Sequence, residues 1–290
     1  MTDSDSLQRF VFSDSPVRGE LVRLEATWQA VLDRHPYPPG VRRLLGEAMV
    51  CASLLAATLK FDGKLVMQIQ GNGPVNLLVV ECTSERTLRG LAHARGDIRS
   101  DAPIREVVGD ARLVITVDPT QGRQRYQSIV KLEGDTLAAA IEAYLERSEQ
   151  IATHLYIASD ASKAAGLLIQ RLPGELRDPD LWDRAVQLGQ TIARDELLEL
   201  PFRELLTRLY HEEDVVLFET EPVSFRCSCS RERVRDMLRS LGPDEVHATL
   251  AQEGQVGVHC EFCNRYYTFD AVDADLLFAQ PAPELPPRQH

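Results

Sequence analysis

Lysine is scarce in this chain. Only Lys60, Lys64, Lys131 and Lys163 stand among the 32 basic side chains, and arginine supplies the rest. This is read as a compositional bias without functional content. A long apolar run is also missing. The longest mostly apolar stretch, Met49 to Leu59, falls short of the ~20 residues that span a bilayer. No membrane association is therefore expected. The opening Thr2-Asp3-Ser4-Asp5 has neither the basic region nor the apolar core of a secretory signal, which makes the reducing cytoplasm the expected compartment. No G-x-x-x-x-G-K-[ST] loop is present. The nearest glycine-rich element, Gly71-Asn72-Gly73, reads as a turn, so ATP chemistry is not expected. A basic stripe is lacking too. The formal net charge is −12, and nucleic-acid binding, which needs clustered cations to neutralise phosphates, is not expected.

What the chain does have is the composition of a folded protein: 44% hydrophobic and 26% charged over 290 residues. Its charge is unevenly spread. Residues 1–174 carry 20 basic and 21 acidic side chains, a net of −1; residues 175–226 carry 6 and 13, a net of −7; residues 227–278 carry 5 and 9, a net of −4.

The first section mixes strand and helix patterns. A long helix is predicted over Val41 to Leu59, where Leu44, Leu45, Ala48, Met49, Ala52, Leu55, Ala56 and Leu59 share one face. Leu65–Gln70 and Val75–Val80, broken by Gly71-Asn72-Gly73-Pro74, have the form of a hairpin. Further strands are predicted at Arg18–Arg23, Leu88–Ala92, Arg112–Val117, Tyr126–Leu132, Thr153–Ala158 and Leu167–Leu172, with a helix at Leu137–Ser148. Strands and helices that do not strictly alternate point to an α+β fold with a mixed or antiparallel sheet.

At Leu172-Pro173-Gly174-Glu175 the strand signals stop. Asp180–Thr191 and Asp195–His211 read as amphipathic helices, the second starting or bending at Pro201. Leu198, Phe202, Leu205 and Leu209 form its apolar stripe, a candidate client-binding surface that otherwise packs on the first section. The expected organisation is a core domain at 1–174, an acidic helical linker at 175–222, a cysteine-bearing domain at 223–279 and a proline-rich, disordered tail at 280–290.

Six cysteines are present. Cys51, in the long apolar helix, and Cys82, at the end of an apolar strand, read as inert packing residues. Cys227, Cys229, Cys260 and Cys263 form C-x-C, thirty residues, then C-x-x-C. In a cytosolic chain this arrangement indicates a metal or redox site rather than a structural disulfide set. Zinc accepts four thiolates tetrahedrally, and two close pairs satisfy that geometry, so one zinc per chain is expected on all four. Cys260-Glu261-Phe262-Cys263-Asn264 has the form of a knuckle turn whose backbone amides bond the sulfurs. The C-x-C half leads into a helix at Ser230–Leu241, whose N-terminus favours thiolate together with Arg231, Arg233 and Arg235. His259 is the competing ligand nearby. A section of about 55 residues has a marginal core. Metal loss would therefore unfold it, and oxidation, which converts thiolates to disulfide, would eject the metal.

At these residues the sequence resembles the 33 kDa chaperonin family of bacterial redox-regulated heat-shock chaperones, over nearly the whole chain. F-R-C-S-C-S-R-E-R at Phe225–Arg233 and C-E-F-C at Cys260–Cys263 match its zinc motif. His211-Glu212-Glu213-Asp214-Val215 and Leu217-Phe218 match its linker end. Ser148–Ile151, Gly166–Pro173, His35–Pro38 and Leu54–Gly63 match its core. The resemblance implies a holdase that is not an enzyme and that binds unfolding clients without ATP. It implies zinc on the four reduced cysteines, and oxidation to the disulfides Cys227–Cys229 and Cys260–Cys263 with unfolding of the C-terminal section. It also implies a homodimer in the active form and client release by ATP-dependent chaperones. Two other classes are weighed against it. A thiol–disulfide oxidoreductase would place C-x-x-C at a helix N-terminus after a strand, and a zinc ribbon binding nucleic acid is opposed by the −4 charge of its section.

Overall fold

The structure, a computed structural model, describes residues 3–120, 124–132 and 134–279. The tail at 280–290, expected to be disordered, lies outside them. The chain forms two compact units, one ending at Arg226 and one beginning at Cys227.

The first unit runs β1 (Ser6–Phe12), β2 (Val17–Leu24), α1 (Ala26–Leu32), α2 (Pro39–Thr58), β3 (Gly63–Gly71), β4 (Val75–Thr83), β5 (Thr87–Ala94), α3 (Ile104–Val108), β6 (Ala111–Pro119), β7 (Tyr126–Lys131), α4 (Leu137–Ser148), β8 (Ala152–Ser159), β9 (Ala164–Arg171), α5 (Leu181–Gly189), α6 (Arg194–Glu199), α7 (Phe202–Tyr210), β10 (Val215–Leu217), β11 (Glu221–Pro222) and β12 (Ser224–Phe225). It is an α+β fold built on two sheets, as the sequence predicts. The first sheet has the order β10-β1-β2-β9-β8, with β11 also pairing β1, and the second has the order β12-β5-β4-β3-β6-β7. Among the described residues all pairings are antiparallel except that of β12 with β5.

Helix α2 lies between the sheets. Pro39 opens it with a preset φ. Arg86 Nη1 and Arg18 Nη2 donate to the carbonyls of Ala56 (3.0 Å) and Thr58 (3.4 Å), which the helix end leaves without intrahelical partners. The sequence shows one apolar face, but the helix is buried on nearly every side, because sheets close on it from two directions. Strand β9 shows how. Ala164 and Leu168 join the core around α2, whereas Ala165, Leu167 and Ile169 belong to a second core on the opposite face.

That second core is covered by α5, α6 and α7, which present Leu181, Ala185, Leu197, Leu198, Phe202, Leu205, Leu206, Leu209 and Tyr210 against Phe10, Phe12 and Leu21. The single helix expected over Asp195–His211 is two helices. Pro201 stands in extended conformation between α6 and α7, because its missing N–H and fixed φ cannot continue the first. Four strands have no signal of their own in the sequence. β1, β10, β11 and β12 are strands because they find partners, β10 and β11 on β1 and β12 on β5. The last three carry the chain across the edges of both sheets just before Cys227.

The second unit contains α8 (Arg231–Leu241), α9 (Pro243–Glu253), a hairpin of β13 (Val256–His259) and β14 (Tyr266–Phe269), and α10 (Ala271–Ala279). Ser230 caps α8, its hydroxyl accepting from the Arg233 amide at 3.2 Å, which matches the expected start of this helix. Helices α9 and α10 were not anticipated. The core here is small: Val234, Leu238, Val246, Val256, Tyr267, Phe269, Ala274 and Leu277.

Candidate metal centre

The four cysteines of the two motifs converge. Cys227 and Cys229 lie on the segment leading into α8. Cys260 and Cys263 lie on the turn joining β13 to β14. That turn is closed by the Cys260 amide donating to Arg265 O (2.9 Å) and the Asn264 amide donating to Cys260 O (2.7 Å). Asn264 supplies the left-handed residue the reversal needs, at φ 58°, a conformation asparagine tolerates. All four sulfurs lie within 4.8 Å of one another. Cys227 Sγ is 3.6 Å from Cys260 Sγ, and Cys229 Sγ is 3.3 Å from Cys263 Sγ. At Zn–S bonds of ~2.3 Å, a tetrahedron places its sulfurs about 3.8 Å apart. The donor set is soft, fourfold and already close to that spacing, so it can bind a metal ion. None of the four is in a disulfide.

Hydrogen bonds reach the sulfurs from two kinds of donor. The knuckle turn behaves as expected: backbone amides of Phe262 and Cys263 bond the Cys260 sulfur, and that of Arg265 bonds Cys263. Burial nevertheless pushes the Cys260 thiol up, and burial together with the neighbouring sulfurs pushes Cys263 up to about 12. Burial also raises Cys229, but the Tyr267 hydroxyl, 3.2 Å from its sulfur, and the other three sulfurs outweigh that and hold it down at about 7. The thiols thus differ in acidity. A cation bound by all four must displace the remaining protons, so binding is favoured at higher pH.

Two residues of this surrounding were not found from the sequence. Tyr267 occupies an inward position of β14, opposite Val258, and only the strand alternation marks it. Arg265 brings a cation near Cys229 and Cys263. Two of the three arginines expected to serve there, Arg231 and Arg233, are engaged with other groups. Arg231 pairs with Asp273 (2.7 Å) and lies over the Phe269 ring, and Arg233 donates to Ser228 Oγ (2.7 Å). His259 stacks on Tyr266 with ring centroids 4.3 Å apart and is not part of the cluster.

Cys51 and Cys82 are both fully buried, and burial pushes their thiols up, Cys82 to about 12. This agrees with their reading as packing residues. Leu198, Phe202, Leu205 and Leu209 are brought together on α6 and α7, each at most 4% exposed, facing the first sheet. No helix among the described residues is long and apolar enough to cross a membrane.

The family model described as Hsp33 protein matches residues 5–270. The chain belongs to the Hsp33 family. It is 47% identical to proteins named 33 kDa chaperonin from Yersinia pestis (strain Pestoides F) and Yersinia pseudotuberculosis (strain IP 31758), over 282 residues and 96% of each chain. A crystal structure of the 33 kDa chaperonin, heat shock protein 33 homolog, of Thermotoga maritima superposes with a TM-score of 0.82 at 23% identity. It covers 94% of this chain and 97% of that one, and shares its fold.

Proposed function

We propose that the chain is an ATP-independent holdase chaperone of the cytoplasm, switched on by oxidation of its metal-binding thiols. The observation that carries this reading is the convergence of four thiols from two segments thirty residues apart, within a unit that has only a small apolar core. In the reduced protein Cys227, Cys229, Cys260 and Cys263 hold one zinc ion. A structural zinc contributes ~10–16 kcal/mol in model peptides, as much as the whole ~5–15 kcal/mol stability of a typical domain. Folding of the second unit therefore depends on its thiolates.

Two peroxides oxidise the four thiolates to two disulfides, Cys227 with Cys229 and Cys260 with Cys263. Each pair of sulfurs loses two electrons, each peroxide gains them and, with protons, leaves as two waters. As disulfides these four sulfurs could no longer hold a zinc ion, and the second unit, without that support, would unfold. Residues 175–222 then lose their hold on the first sheet, and the stripe of Leu198, Phe202, Leu205 and Leu209 becomes available to unfolding clients, at roughly 25 cal/mol for each Å² of apolar surface buried. The oxidised form is a homodimer, and clients pass from it to ATP-dependent chaperones. Placement of Cys260 and Cys263 on a turn between two strands, rather than at a helix N-terminus, disfavours a thiol–disulfide oxidoreductase.

The test is to measure zinc content and suppression of a model client's aggregation before and after peroxide treatment, with and without ATP. One zinc in the reduced form, its loss on oxidation and a matching gain in client holding are expected, with no effect of ATP. Full client holding by the reduced, zinc-loaded protein would overturn the switch.

A further inference from the structure

The sulfurs of the cluster are unequally protected. Cys260 and Cys263 accept hydrogen bonds from backbone amides of their own turn, which any residue but proline at those positions would supply. Cys229 has no such turn. Its bond comes from the Tyr267 hydroxyl at 3.2 Å, on another strand and 38 residues away. The phenol is held in place. Its ring is 8% exposed and packs in the core of the second unit, and β14 pairs Tyr267 with Val258. The Arg265 side chain bonds the same phenol, so a cation stands behind the hydroxyl that faces the sulfur. Hydrogen bonds to ionised acceptors are about twice as strong as neutral ones. One donated to a thiolate engages the electron pair with which sulfur attacks an oxidant.

We propose that Tyr267 is a positioning residue of the redox centre: its hydroxyl fixes the Cys229 sulfur among the metal ligands and slows the attack of that sulfur on peroxide. This rests on the reading of the four cysteines as an oxidisable metal-thiolate site. In the step it retards, the Cys229 sulfur forms an S–O bond while the O–O bond of peroxide breaks, and hydroxide leaves and takes up a proton as water. A second cysteine thiolate then attacks the sulfenic sulfur. The S–S bond forms, the S–O bond breaks, and the oxygen leaves as a second water once protonated. The sulfur pair gives up two electrons and peroxide takes them.

Tyr267→Phe keeps the ring and removes the donor. In the full-length chain loaded with cobalt, the substitution is expected to speed peroxide-driven metal loss about fivefold, as withdrawal of part of one charge-assisted hydrogen bond would. It is also expected to move the thiolate-to-cobalt charge-transfer band to longer wavelength, and to raise the share of sulfenic acid trapped at Cys229. Tyr266→Phe, on the neighbouring exposed ring, should change none of these. A fluorotyrosine at position 267, a stronger donor in the same packing, should slow metal loss, which keeps the test open if the phenylalanine variant fails to fold. Unchanged metal loss and an unmoved band in either folded variant would overturn the role of Tyr267. A wild-type chain that bound no cobalt would overturn the metal-site reading and this proposal with it.

Discussion

Glu20 is a carboxylate in an apolar place. It sits on β2, 1% exposed, and its Oε2 has no hydrogen-bond partner. Burial raises it to about 7; Arg18, Arg86 and Arg9 pull it down without offsetting that, and Glu221 pushes it further up. The raised acid favours the folded state below about pH 4.5, and that contribution is lost as pH rises through about 7. Glu20→Gln should therefore gain stability relative to the native chain between pH 5 and pH 8, by on the order of 2 kcal/mol. Denaturant melts at both pH values read it, and an equal difference at the two would refute it. At the metal centre, Cys227→Ser should lower zinc affinity sharply while Cys51→Ser leaves it intact, measured by competition with a chromogenic chelator. Stoichiometric zinc in a Cys227→Ser/Cys260→Ser variant would sink the ligand assignment. The four clustered cysteines were legible in the sequence because their pattern is local: C-x-C and C-x-x-C declare themselves by spacing. Tyr267 and Glu20 were not, since an inward tyrosine and a buried glutamate look ordinary until the strands around them are paired.

Among the elements, α2 shows how tightly the first unit is assembled. A Cβ at Gly166 on β9 would stand 2.4 Å from Val50 Cγ1 and 3.2 Å from Leu54 Cδ1, both on α2. Val50 is β-branched and fully buried, so it cannot swing aside. Gly166→Ala should cost about 1–3 kcal/mol and lower the melting temperature by about 2–4 °C per kcal/mol. A melting temperature equal to that of the native chain would show that helix and sheet slide apart freely. The α2 pattern was plain in the sequence, as was the β3–β4 hairpin with its glycine and proline turn. The break at Pro201 was visible as a bend or start but not as two helices. β10, β11 and β12 are two or three residues each, too short for any periodicity, and only their partners make them strands.

On the scale of the molecule, the two units are expected to differ in what sustains them. The first has two extended cores, and the second has eight buried side chains around its thiols. Chelation of zinc in reducing buffer should remove hydrogen-exchange protection from 227–279 and leave β2, β9 and α2 protected. Peroxide should additionally expose residues 175–222, whose section through residue 226 carries a net charge of −7 and is favoured extended by its own repulsion. Protection in the second unit that persists after zinc loss would mean that the metal does not hold it. The acidity of this middle section could be counted from the sequence. Its packing on the first section was expected from the apolar stripe and is found; which of the two sheets it covers could not be read, because an amphipathic helix does not name the surface it covers.

The three short pairings that precede Cys227 work as stitches along a seam. β12 is sewn to one sheet, β11 and β10 to the edge of the other, with two or three residues in each. Unravelling from the C-terminal side meets them one at a time, and no single long strand has to shear loose at once. Each opened stitch can close again while the next still holds, so unravelling along this segment advances by small reversible steps. A brief pull on this end of the segment would undo the first stitch and go no further. A sustained one would open the whole seam.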